Sequence, residues 1–125
     1  MLKAGDILIG PYPPGSGKRR RFLILSDEIS EPDPMVAWVY VSTSLSDSTV
    51  VLRTGCHPEI TQDCCVIFEE AELIKVAAIR AGIADRALRQ ARTSLQPAFL
   101  AIVQEGVFES EDTPIRVVDF CTNRI

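Results

Sequence analysis

The amino-acid sequence predicts a mainly β protein of the α+β class: a small, strongly bent β-barrel with a helix packed on it. The first two thirds of the chain consist of short apolar segments, rich in β-branched and aromatic residues, that turn residues separate. The last third contains one segment with clear helical spacing of its apolar residues. A chain of 125 residues is the size of one domain, and no linker or internal repeat divides residues 1–125.

Five segments are predicted as strands in the first two thirds: residues 6–12, 20–25, 36–41, 49–53 and 64–68. In the first of these, Ile7 and Ile9 share one face and Leu8 lies on the other, which is typical of a strand buried on both sides. Trp38 and Tyr40 fall on one face of the third segment, where packing in the core or a dimer interface is favoured over stacking with RNA bases.

The clearest helix is predicted over residues 94–106, with Ser94 as the N-cap and Gly106 at the C-terminus. Its apolar stripe is predicted to face the core, and consists of Phe99, Ile102 and Val103.

The other segments of the last third are less regular. Residues 74–79 fit a strand or a helix, residues 83–91 fit a short helix or a turn, and residues 115–120 are predicted as a final strand.

The net charge of −4 and the pI near 5.0 argue against electrostatic binding of nucleic acid over the whole protein surface. Four of the 13 basic residues are nevertheless consecutive, at positions 18–21, so any binding of nucleic acid is expected to be local. No apolar run has the roughly 18 residues of a membrane span, and no signal-peptide core follows Met1. We therefore expect a cytoplasmic protein without a membrane partner.

The cysteines and the single histidine give no strong catalytic pattern. The four cysteines lack CxxC spacing and are predicted to be reduced, mostly buried thiols, so no metal site and no cofactor are predicted. His57 lies between Cys56 and Pro58 with no partner evident from spacing. A structural role is favoured for it over that of a general base.

The most informative segment runs from Gly5 to Asp27. It contains a strand that begins with Gly5 and Asp6, a loop with Gly15, Ser16 and Gly17, and an arginine at the start of a second apolar strand. This order resembles the opening of toxins of the MazF/PemK family. In that family the arginine is usually followed by proline; Arg20 aligns best with it, Arg21 occupies the proline position, and both stay candidates.

A second part of the resemblance is a strand that ends in a hydroxyl residue. The apolar residue before the hydroxyl favours Ser42 as its match, whereas residue type favours Thr43, because the family uses threonine.

The resemblance implies a homodimeric, SH3-like barrel that cleaves single-stranded RNA, usually mRNA, at short sequences without a metal. Arg20 would stabilise the charge on the phosphate, with Arg21 or Lys18 beside it and Arg19 in the same basic run. Ser42 or Thr43 would donate a hydrogen bond to a phosphate oxygen. The loop over residues 13–18 would cover the bound RNA.

The resemblance also implies a cognate antitoxin, whose disordered acidic segment would lie over the Arg20 groove and compete with RNA. Two alternatives stay open. One is a non-catalytic toxin of the same fold that binds DNA gyrase, and the other is a degenerate member kept as a binding module.

Overall fold

A sheet of seven antiparallel strands lies at the centre of the computed structural model, which describes residues 1–13, 15 and 17–125. Within these residues the strands are β1 Ile7–Pro11, β2 Arg19–Ile24, β3 Met35–Ser42, β4 Val51–Leu52, β5 Cys64–Val66, β6 Glu72–Lys75 and β7 Arg89–Gln90. The α-helices are α1 Val76–Ala84, α2 Pro97–Glu109 and α3 Ile115–Thr122. These elements confirm the predicted α+β class.

Strand β3 organises the sheet because it pairs with three other strands. One edge pairs with β2, which in turn pairs with β1. The other edge pairs with β6 along residues 35–38 and with β5 at Val41 and Ser42. The order is β4-β5-β3-β2-β1-β7, with β6 beside β3. Within the described residues, β4 and β7 are not paired with each other, so the hydrogen-bonded sheet is open at its ends.

The sheet is buried on both faces, as predicted for residues 6–12. Leu23 belongs to one core, with Ile7 and Ile9, and residues of α2 and α3 cover this face. Phe22 belongs to a second core, which residues of α1 cover. Alternate residues of β2 therefore enter different cores, because successive side chains of a strand point to opposite faces.

Asp6 fixes the start of β1. Its carboxylate accepts hydrogen bonds from the Lys3 amide (2.9 Å), the Gln90 side chain (3.2 Å) and the Ser94 hydroxyl (2.8 Å). The prediction of Ser94 as a helix N-cap is wrong, because its hydroxyl is used by Asp6 and α2 begins three residues later at Pro97.

Helix α2 differs from its prediction in two further ways. It continues to Glu109, so Gly106 lies inside the helix and not at its end. Ile102 is not part of the core: it is 51% exposed, whereas Val103 is fully buried and Phe99 is partly buried against the core.

The prediction of a strand over residues 115–120 is wrong, because this segment is helix α3. The residues that it buries are Val117 and Cys121, four positions apart, which is the spacing of one helical face. Ile115, which a strand would place on the same face as Val117, is 69% exposed.

The remaining segments are shorter than predicted or change type. Residues 49–53 contain only the two-residue strand β4, and residues 64–68 leave the strand after Val66 for a short 3₁₀ helix, Phe68–Glu70. Residues 74–79 end β6 and begin α1, and residues 83–91 contain the end of α1, a turn and β7. None of the described helices combines the length and the apolarity that a membrane span requires.

Candidate functional site

A cleft of about 470 Å³ lies where β2 begins and β3 ends. Three segments line it: residues 18–21, residues 40–43, and the loop residues 59–62 with Cys64. The first two segments contain all the predicted phosphate-binding cations and both candidate hydroxyls. Residues about 20 positions apart in the sequence are thus brought to one place.

The pairing of β2 with β3 explains this meeting. Arg21 is opposite Val41 and Phe22 is opposite Tyr40. Continued by one step, this antiparallel register places Arg20 opposite Ser42. The start of β2 and the end of β3 therefore share one end of the sheet.

Arg20 and Arg21 extend from opposite faces of β2. The Arg20 guanidinium lies 4.7 Å from the centre of the Tyr40 ring, within cation–π distance. Arg21 lies on the face of Leu23, where Val41 and Ile60 also lie. Its Nε is buried and, among the described residues, has no hydrogen-bond partner. Both side chains line the cleft, but only that of Arg21 leaves a buried donor unused.

The two candidate hydroxyls differ in their contacts. Ser42 is the last residue of β3, and its Oγ accepts a hydrogen bond of 3.1 Å from the Ser44 amide. This contact uses an oxygen lone pair and leaves the hydroxyl proton free to donate. Thr43 follows the strand and is exposed in the cleft wall.

Of the loop predicted to cover the RNA, Lys18 lines the cleft but the two glycines do not. Gly15 and Gly17 are exposed and have positive φ values of 84° and 75°, but neither lines the cleft. The predicted contact residue Ser16 lies outside the described residues, as does Pro14.

The third wall of the cleft contains none of the residues predicted to bind phosphate; it consists of Glu59, Ile60, Thr61, Gln62 and Cys64. These residues follow the predicted strand 49–53, and all but Cys64 lie outside every predicted element. Asp63 holds this loop together, since it accepts hydrogen bonds from the Thr54 amide (2.8 Å), the Thr54 hydroxyl (3.0 Å) and Arg53 (3.1 Å). These contacts, with the Thr54 amide first, lower the pKa of the Asp63 carboxyl below its ordinary value of 3.8.

His57 anchors the same loop from beneath. It is 4% exposed, its Nδ1 accepts the Glu59 amide hydrogen at 3.0 Å, and its Nε2 lies 2.7 Å from the Thr93 carbonyl oxygen. Because Nδ1 is an acceptor, Nε2 carries the hydrogen and donates a hydrogen bond to the Thr93 carbonyl oxygen. His57 does not line the cleft, and its contacts correspond to the structural role favoured from the sequence.

Cys64 is the thiol in the cleft wall. Burial, with smaller effects from Cys56 and Cys65, raises the pKa of Cys64 to about 11. The side chain is therefore a neutral thiol at physiological pH, which is unsuitable for a nucleophile. All four cysteines are free thiols, three of them buried. Among residues 1–13, 15 and 17–125, no group of three or more His, Cys, Asp or Glu side chains is arranged to hold a metal ion.

In comparisons with known proteins, no family model, no curated protein and no solved structure matches this chain.

Proposed function

We propose that this chain is a toxin endoribonuclease similar to the MazF/PemK family, which cleaves single-stranded RNA without a metal in the cytoplasm. The observation that carries the proposal is the cleft itself. It joins the four cations of residues 18–21 to the hydroxyls of Ser42 and Thr43, on a protein whose net charge is −4. Because the protein as a whole is acidic, an anionic ligand is expected to bind at this cationic cleft and not over the rest of the surface.

The chemistry of RNA makes this set of side chains sufficient for charge stabilisation. The 2′-oxygen of one nucleotide attacks the adjacent phosphorus, the bond to the 5′-oxygen breaks, and the products are a cyclic phosphate and a 5′-hydroxyl. Negative charge accumulates on the phosphate oxygens at the transition state, where guanidinium groups and hydroxyl donors stabilise it.

Arg21 and Arg20 then have different roles in the proposal. Among the described residues the buried Nε of Arg21 has no hydrogen-bond partner. An unpaired buried donor costs about 1–3 kcal/mol, so a phosphate oxygen is a favourable ligand for it. Arg20 is held against Tyr40 and presents its charge from the other face of the strand. Ser42 and Thr43 supply the hydroxyl donors, and Lys18 and Arg19 extend the cationic wall.

The finer features of the resemblance belong to the same proposal. The two-sided core and the division of one edge of β3 between β5 and β6 support a strongly bent, SH3-like barrel. A homodimer and an antitoxin complete the proposed toxin system. The four cations of the cleft suit a disordered acidic segment of the antitoxin, which would exclude RNA by occupying the same charges.

The test is incubation of purified protein, free of any antitoxin, with a long single-stranded RNA in EDTA. We expect discrete fragments with cyclic phosphate ends. Arg20→Ala and Arg21→Ala are each compared with Arg116→Ala, which removes an exposed cation from α3, far from the cleft in the sequence. Loss of one charge-stabilising donor is expected to slow cleavage about 10²–10³-fold, whereas Arg116→Ala should cleave at the wild-type rate.

The same assay distinguishes the two hydroxyls through Ser42→Ala and Thr43→Val. Uncut RNA with folded wild-type protein would contradict the proposal and leave a non-catalytic binding protein as the interpretation. If all the cleft variants cleaved RNA at the wild-type rate, the nuclease activity would not depend on this cleft.

A further inference from the structure

Glu59 is the only carboxylate residue among the described residues that line the cleft. It lies in the loop wall, while the four cations belong to the wall that begins β2. Its side chain is 25% exposed, so it is open to a ligand without being free in solvent. No feature of the sequence selected it, and the charge-stabilising residues considered so far do not remove a proton.

Glu59 is held in place by contacts from two other parts of the chain. Its amide donates to His57 Nδ1 at 3.0 Å, and His57 is itself fixed to the Thr93 carbonyl oxygen. Arg89 Nη2 lies 3.4 Å from Glu59 Oε1, a long contact and the only hydrogen bond that the described residues give this carboxylate. The main chain is thus anchored while most of the acceptor capacity of the carboxylate is unused.

The other groups in the cleft are poor proton acceptors. The cations of residues 18–21 have no lone pair to offer, and the Cys64 thiol is a neutral donor. The single histidine has both ring nitrogens engaged beneath the loop. A glutamate carboxylate, in contrast, accepts hydrogen bonds through two oxygens.

We propose that Glu59 is the general base of the cleft, a role that rests on the proposed ribonuclease function. Its carboxylate takes the proton from the RNA 2′-hydroxyl as the 2′-oxygen bonds to phosphorus. The phosphorus–5′-oxygen bond breaks, and the leaving 5′-oxygen takes a proton from water. Glu59 then returns its proton to the solvent, so the reaction is a transesterification with no net consumption of protons or water.

The surrounding charges suit this role. Arg89 of β7 lies beside the carboxylate, the cations of residues 18–21 line the same cleft, and His57 lies on the same loop as Glu59. In the proposed reaction the cations of residues 18–21, but not Arg89, bind the phosphate, so the base and the reacting group are drawn to the same cleft. A general base positioned in this way contributes about 10²–10⁴-fold to a rate.

The experiment compares Glu59→Gln with Arg89→Gln in two assays. The first measures kcat for RNA cleavage in EDTA. The second measures binding of a DNA oligonucleotide with the sequence of the mapped cleavage site, which lacks the 2′-hydroxyl and is not cut. For Glu59→Gln we expect kcat to fall about 10²–10³-fold while DNA binding is unchanged or tighter, because one negative charge leaves a cationic cleft. Arg89→Gln removes the ion pair but keeps the carboxylate, and should retain most of the activity.

The outcomes separate the base from the nuclease activity itself. If the wild type cuts RNA and Glu59→Gln cuts it equally fast, the base assignment is wrong and the ribonuclease proposal stands. If the folded wild type does not cut, both are wrong. If Arg89→Gln loses as much activity as Glu59→Gln, with the same drop in melting temperature, the ion pair is structural and Glu59 is not the base. Should Glu59→Gln fail to fold, Glu59→Asp keeps the charge but shortens the side chain, and a wild-type rate for it would overturn the assignment.

Discussion

A single carboxylate, Asp63, shapes the loop that forms the third wall of the cleft. It connects the two ends of residues 53–63 through Arg53 and through the amide and hydroxyl of Thr54. Gly55 and Ile60 are joined by a backbone hydrogen bond of 3.1 Å inside the same loop. Glu59, Thr61 and Gln62 therefore reach the cleft from a loop whose ends are joined by the pairing of β4 with β5 and by the Asp63 side chain.

This closure should depend on pH. The folded-state pKa of Asp63 is lowered, mainly by the Thr54 amide, from an ordinary value of 3.8. The carboxylate therefore stabilises the loop above about pH 3.8, and the stabilisation is lost as the pH falls through the lowered folded-state value. We expect amide hydrogen exchange at Thr54 and Gly55 to accelerate over that acid range.

Asp63→Asn is the matched variant, because it keeps the shape of the side chain and replaces the titratable carboxyl group by an amide. Its loop amides should exchange faster than wild type at neutral pH and show no further acid transition. A wild-type loop whose exchange rates follow only the intrinsic pH dependence would show that Asp63 does not close it.

The sequence alone identifies some residues of the cleft but not others. The run Lys18–Arg21 is conspicuous by charge, and Ser42 and Thr43 by their place after an apolar strand. Glu59 is one of 17 acidic residues, and nothing in its neighbours distinguishes it. Its position depends on a contact between His57 and Thr93, 36 residues apart, which local patterns do not contain.

At the scale of elements, α3 shows why a short apolar segment is ambiguous. Ile115, Val117 and Val118 favour a strand by residue type, but tertiary packing buries Val117 with Cys121 instead. The spacing of four between these two residues was visible in the sequence and predicts a helix. Residues 36–41 and 20–25 were predicted correctly because their apolar runs are longer and bounded by prolines and polar turns.

The effect of a substitution at Gly106 on stability can be predicted for helix α2. A Cβ at this position would lie 2.5 Å from Cζ of Phe68 and 2.8 Å from Cγ2 of Val50. Phe68 is fully buried, so the ring has little room to move. Alanine favours a helix over glycine by about 1 kcal/mol, but overpacking a core costs typically 1–3 kcal/mol. We expect Gly106→Ala to lower the free energy of unfolding by up to about 2 kcal/mol, measured by urea denaturation.

Ala101→Gly in the same helix isolates the propensity effect, because Ala101 is exposed. It should cost about 1 kcal/mol without any packing change. A Gly106→Ala variant that is more stable than wild type would mean that helix propensity outweighs the contact with Phe68.

For the molecule as a whole, the sequence predicts the class and the buried character of the central strands but not the arrangement of the last third. Continuous apolar segments such as residues 22–25 require cover on both faces, and this was evident before the helices were placed. The sequence does not show which helix covers which face of the sheet, because α1 and α2 have apolar residues on more than one side. Placement of these helices depends on contacts such as that of Gly106 with Phe68, which are distant in sequence.

The distribution of charge over the whole molecule gives the last prediction. Outside residues 18–21, nine basic residues stand against 17 acidic ones, so the rest of the chain carries a net charge of −8. We expect the cationic wall of the cleft to attract a nucleic acid, because the net negative charge of the rest of the chain opposes binding elsewhere. Binding of a single-stranded DNA oligonucleotide should therefore weaken with salt according to the few phosphates that this wall neutralises. For three or four contacts, the slope of log K against log salt concentration is expected to be about −2 to −3.

Arg19→Gln removes one cation from the cleft wall, and should reduce the magnitude of that slope by about 0.7. Arg116→Gln removes the same charge from α3 and should leave the slope unchanged, although both variants change the net charge equally. A slope near zero, or the same change in both variants, would show that the nucleic acid does not occupy this cleft. A change in Arg19→Gln alone would establish that a molecule with an acidic surface binds its anionic ligand at one end of its sheet.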